Sequence, residues 1–147
     1  MFKDSLTTEE WRTLQFGPLL VFGIVAAIDS KIETKEVAAL AKELAEAGLY
    51  KEPLAAEVYG SVSSDFANVM QLFTADARDP LRGLSEVANL LDQKVTPDHA
   101  NGFKRALMLL GHNVAIATSG RITRRKKVGK KEGVALVAIF TTLRVTA

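Results

Sequence analysis

The 147-residue chain has no cysteine, only two histidines and four prolines, and its aromatic residues make up 7% of the total. Without cysteine there is no disulfide frame, no thiolate metal site and no cysteine nucleophile. His99 and His112 stand thirteen positions apart, so they do not share a helix face at ligand spacing, and a zinc site has no basis. The longest apolar run, Phe16 to Ile28, is thirteen residues and too short to span a bilayer; it reads as a buried helix. The first ten residues are polar and acidic, with no apolar core of a signal peptide, which fits a cytoplasmic protein. A phosphate loop is also missing, because Gly129-Lys130-Lys131 lacks the leading glycine and the following Ser or Thr.

What is present is apolar and helical. The hydrophobic fraction is 48% and the charged fraction 24%, the composition of a globular domain, and the length suits one domain over residues 1–147. Thr7 or Thr8 is placed to cap a helix with Glu9 and Glu10 in its first turn, bending at Gly17-Pro18 and running through Ile28. Further helices are expected over 34–47, from Pro53 to about Val62, after Ser64 or Asp65, from Asp79-Pro80, from Thr96-Pro97 to Ser119-Gly120, and over 130–143. Expected inward stripes include Leu81, Leu84, Val87 and Leu91, then Phe103, Leu107, Leu110 and Val114. In the last helix they are Val134, Leu136, Val137, Phe140 and Leu143. No segment alternates cleanly with period two, so the fold class is all-α, a single compact bundle of about seven helices.

Net charge is +2, but it is unevenly spread. Residues 1–103 carry 9 Lys and Arg against 16 Asp and Glu; residues 104–147 carry 10 against 1. The basic charge gathers in Arg121, Arg124, Arg125, Lys126, Lys127, Lys130 and Lys131, read as an exposed loop between two apolar helices. Such a run is a candidate site for nucleic acid, an anionic lipid surface or an acidic protein. It carries no interleaved aromatic residue to stack on bases. A solvated loop offsetting the acidic remainder is the competing reading.

The stretch Asp29-Ser30-Lys31-Ile32-Glu33-Thr34-Lys35-Glu36 resembles the end of an EF-hand loop. In that register, Val25 and Ala27 fall where the first two carboxylates belong, and Ser30 replaces the glycine, so a true EF-hand is excluded. The spacing repeats later in the chain. Ile32 and Glu36 precede Leu40 and Leu44; Val128 and Glu132 precede Leu136 and Phe140. Each is also a helix start, with an apolar staple before the N-cap and a Glu at the third helical position.

With Ala26-Ala27-Ile28-Asp29-Ser30-Lys31-Ile32, Glu36, Phe103 to Leu107, Val114-Ala115, Ser119-Gly120 and Val128 to Glu132, the chain resembles the TerB-like family, named for bacterial tellurite resistance. The resemblance covers most of the chain. It implies an all-helical domain of two related halves, a non-enzymatic scaffold or sensor in a bacterial stress response with a protein partner. It also implies a divalent cation held by acidic positions, here Asp29 and Glu36, with Glu33 as a third. In the second unit the matching position is lost among Arg124 to Lys127, whose charges repel a metal. Weak or no binding is therefore expected. Neither Ca²⁺, Mg²⁺, Mn²⁺ nor Zn²⁺ should raise the melting temperature much; a clear rise that Asp29→Asn removes would establish the site, because an ion that binds only the native state stabilises it.

Overall fold

A computed structural model of the chain describes residues 2–26, 34–46, 51–76, 78–123 and 130–145, with side chains described except at 34–36, 117–123 and 130–132. A 3-10 turn, Phe2–Ser5, precedes seven helices: α1 Thr8–Ala26, α2 Thr34–Ala45, α3 Pro53–Ser64, α4 Phe66–Ala75, α5 Pro80–Lys94, α6 Pro97–Thr123 and α7 Lys130–Leu143. Among the described residues there is no strand, so the fold is all-α.

Helix α1 is the axis of the packing. It touches α3, α4, α5, α6 and α7. Trp11, Leu14, Phe16, Leu19, Val21 and Val25 are all buried on it. A helix enclosed on every side must be apolar all round, which accounts for the long hydrophobic run. It starts at a capping box: Thr7 Oγ1 accepts from the Glu10 amide at 3.1 Å, and a Glu10 carboxylate oxygen accepts from the Thr7 amide at 2.8 Å. That backbone bond from Thr7 holds the Glu10 carboxyl below its ordinary pKa, against a smaller opposing effect of burial. The helix is continuous through Pro18 and gives up only the hydrogen bond that the proline cannot donate.

Two of the other prolines open helices through a capping carboxylate. Glu52 accepts from the Leu54 amide at 2.8 Å ahead of Pro53, and Asp79 accepts from the Arg82 amide at 3.1 Å ahead of Pro80. Pro97 is the first residue of α6, and the Thr96 carbonyl accepts from the Ala100 amide. Asp65 precedes α4 without a side-chain cap bond and takes the Asn68 side-chain amide instead.

Helices α1 and α6 run in the same direction. A Cβ at Gly17 would meet Leu107 and Phe103, while one at Gly111, further along α6, would meet Val21 at 3.1 Å and Val25 at 3.8 Å. A Cβ at Gly111 would also meet Leu136 of α7, at 3.0 Å. At the other end of α7, Arg144 reaches back to the beginning of α6, so α6 and α7 form an antiparallel hairpin.

That second contact is a three-way ion pair. Lys104 of α6 is 4% exposed, and its ammonium donates to Asp92 of α5 at 2.7 Å and to the Arg144 carbonyl at 3.4 Å. The Arg144 guanidinium donates to Asp92 at 2.9 Å and to Asn89 at 2.8 Å. Arg144 ends α7 in the left-handed region, φ 56°, where a non-glycine residue needs such compensation.

Three expectations are corrected. Leu81 is 40% exposed rather than buried, because it lies in the first turn of α5, ahead of the contact that Gly83 makes with Leu20. Helix α6 passes through Ser119-Gly120 to Thr123, and α7 begins at Lys130, so Arg121, Lys130 and Lys131 belong to helices and not to a loop. Most consequential, Val134, Val137 and Phe140 point outward at 68%, 65% and 48% exposure, while Ala135, Ile139 and Leu143 face the core. Both faces of α7 are apolar, and its rotation is set by Leu136 against Gly111 and by Arg144 on Asp92.

Partial burial works to raise the Asp92 carboxyl, and the bonds from Lys104 and Arg144 more than offset it, leaving its pKa below the ordinary value. Asp92→Ala should lower stability by about 1–3 kcal/mol, since it leaves a buried ammonium without its carboxylate. Asp92→Asn, which keeps an acceptor, should cost less. With the folded-state pKa depressed, the stabilisation is present above the unfolded carboxyl value of about 3.9 and is lost as pH falls through the folded value. Urea midpoints of wild type and both variants across that range would check the magnitude and the sign.

Candidate functional site

The direction of the helices decides where the charged segments lie. Helix α1 stops at Ala26, one residue after Val25 meets Gly111. Helix α6 continues from Gly111 to Thr123, about 18 Å at the helical rise. Helix α7 begins six residues before Leu136, about 9 Å on the same side. The α6–α7 hairpin therefore extends past the end of α1, with α2 packed against α6, where the Asn113 side chain donates to Glu43 at 2.8 Å. Of the expected polyanion-binding residues, Arg121 is in the last turn of α6, and Lys130 and Lys131 are the first two residues of α7. Arg124, Arg125, Lys126 and Lys127 lie outside the described residues, in the six-residue link between the two helices. The helix bounds thus assign all seven cations to one end of one hairpin.

The cations at the other end of that hairpin are differently placed. Lys104 and Arg144 both bind Asp92. Basic charge at the α6 C-terminus complements the helix dipole, but Lys130 and Lys131 stand at a helix N-terminus, where the dipole disfavours them. Nothing in helix formation calls for lysine there.

The outward face of α7 continues from that end. Lys130 stands one helical turn before Val134, and Val134, Val137 and Phe140 follow at helical spacing. From Gly133 to Leu143 the helix has no charged residue. On α6, Leu109 is 49% exposed, and Arg105 and His112 are exposed on the same side of that helix. The signal for this surface was present in the sequence as a doubly apolar helix, but not which of its faces is covered.

The acidic turn belongs to another link. Asp29 and Glu33 lie outside the described residues, and so does the side chain of Glu36. In sequence, Asp29 follows Ala26, the last residue of α1, by three positions. Glu36 is the third residue of α2, and Glu132 the third residue of α7, as the capping spacing requires. Among the described residues no three His, Asp or Glu side chains gather as metal ligands.

A cleft of about 580 Å³ lies on the opposite side of α1, between α1, α4 and α5, and its lining includes Glu9, Arg12, Phe16, Asp76, Arg78 and Glu86. Arg78 donates to Asp76 at 2.8 Å and to Glu86. The bond from Arg78 holds the Asp76 carboxyl below its ordinary value, and the same bond holds Arg78 above its own. An apolar groove of about 370 Å³ adjoins it, lined by Leu19, Phe22, Met70 and Phe73 among others. Among the described lining residues there is no nucleophile with an adjacent base. A carboxylate fixed in its charged form by arginine is poorly matched to proton transfer near neutral pH. His99 lies elsewhere, with Nδ1 3.2 Å from Glu52 and its ring edge-on to Phe2.

These features define a helical bundle with a basic-ended hairpin. The chain is 32% identical over 124 residues, 81% of its own length and 81% of the other, to an uncharacterized protein, ORF11', of Methanothermobacter thermautotrophicus. It belongs to the same family as that protein. No family model matches the chain, and no solved structure matches it.

Glu36 and Glu132 should each stabilise their helix by about 0.5–1 kcal/mol as third-position acceptors, with or without metal. Thermal denaturation should show glutamine at either position costing less than alanine. Equal losses for the two replacements would point to charge, and so to a ligand role.

Proposed function

We propose that the protein is a non-enzymatic scaffold, of the kind that the TerB-like resemblance implies, and that it docks on a polyanionic partner through the projecting end of the α6–α7 hairpin. The observation that carries this reading is the separation of charge. Seven cations fall between Arg121 and Lys131, while Lys104 and Arg144, at the hairpin's other end, share the Asp92 carboxylate. A cluster of one sign at a projecting end attracts a polyanion over a Debye length and fixes which end of the molecule arrives first. The arginine-bound carboxylates of the cleft support a binding role over catalysis.

Release of counterions makes such docking fall steeply with salt. The wild-type protein should be retained on heparin and eluted by salt. Replacing Arg124, Arg125, Lys126 and Lys127 by Glu should abolish retention while the helical circular dichroism and melting temperature stay unchanged. Equal elution of the two proteins would overturn the reading.

A further inference from the structure

We propose that the polyanionic partner is the surface of an anionic lipid bilayer, with α7 lying in the headgroup layer and Val134, Val137 and Phe140 entering the acyl boundary. The proposal rests on the docking reading above and adds the partner's chemistry. Charge alone does not choose between nucleic acid, acidic protein and lipid; the outward face of α7 does.

Over about two turns that face presents Val134, Val137, Phe140 and Thr141, all exposed and all uncharged. The exposed residues of α5, by contrast, are mostly polar or charged: Arg82, Asn89, Asp92, Gln93 and Lys94, with Leu81 the exposed large apolar residue. The two valines offer a groove of nucleic acid no hydrogen bond, and Phe140, the ring on this face, stands ten residues beyond Lys130 rather than interleaved with the cations. Two valines and a phenylalanine, aligned after a lysine pair, match a helix that lies at an interface with its apolar side chains in the acyl boundary and its cations among the phosphates.

A second copy of the chain is the weaker occupant. The three side chains expose on the order of 300 Å² together, well below the roughly 800 Å² per partner of a stable interface. A bilayer asks for less area, because shallow apolar insertion and attraction to anionic headgroups act together and neither has to suffice. Insertion is shallow by construction: the opposite face of α7, with Ala135, Ile139 and Leu143, is fixed in the core. No helix of the described residues is long and apolar enough to cross a membrane.

The test is cosedimentation with vesicles of phosphatidylcholine alone and of phosphatidylcholine mixed with phosphatidylglycerol, beside heparin chromatography of the same samples. The wild type should bind the mixed vesicles and not the neutral ones. The triple variant Val134→Ser, Val137→Ser, Phe140→Ser alters exposed positions and should melt as the wild type does. It should lose about tenfold or more in vesicle affinity and keep its heparin retention. Should the triple substitution disturb folding, Phe140→Trp in the wild-type chain gives a second readout: its emission should shift to the blue with mixed vesicles only. Heparin or duplex DNA binding without vesicle binding would overturn the lipid proposal and leave the docking reading standing, as would equal vesicle binding by wild type and triple variant. Binding to neither heparin nor vesicles would overturn both.

Discussion

The rotation of α7 about its own axis is the constraint on which the outer surface of this bundle depends, and Asp92 fixes it. One carboxylate receives the buried ammonium of Lys104 and the guanidinium of Arg144. It thereby joins α5, α6 and the end of α7. A buried ammonium without a partner is too costly to tolerate, so the register of these helices is held by a penalty for moving as much as by attraction. Gly111 supplies the second fixed point, since a Cβ there would crowd Val21 and Leu136 together. With both points set, Ala135, Ile139 and Leu143 go inward and the valine stripe goes out.

This also shows how far the sequence could be read. Helix starts were legible because their chemistry is local: Thr7 with Glu10, Asp79 with Pro80, Thr96 with Pro97. Core stripes were legible where one face is apolar and the other polar, as in Leu84, Val87 and Leu91 of α5. The face of α7 was not, because both of its sides are apolar and the choice is made by residues 12 and 52 positions apart in the chain that meet at Asp92. Gly120 reads as a helix stop, yet α6 runs through it; a glycine inside a helix costs about 1 kcal/mol and does not force an end. The candidate basic site was legible as composition, while its placement on a projecting hairpin required the parallel course of α1 and α6.

The two ends of the hairpin do different work. At one end charge is matched within the molecule, with Asp92 serving two cations. At the other the sequence supplies cations and, in residues 104–147, a single acidic residue, Glu132. The cleft beside α4 repeats the first pattern, since Arg78 answers both Asp76 and Glu86. Where cation and carboxylate meet in one contact, the structure has reason to be rigid.

The enclosure of α1 has a consequence for the order in which the molecule is made. Helix α1 is synthesised before the helices that cover it, and three of these, α5, α6 and α7, begin more than fifty residues after it ends. Until the ribosome has released the chain beyond Leu143, the stretch from Phe16 to Ala26 has no complete set of partners. Its native contacts are far apart in sequence and form late. Before those helices emerge, the hydrophobic segment is covered only in part, by α3 and α4, the condition under which chaperone binding or self-association competes with folding.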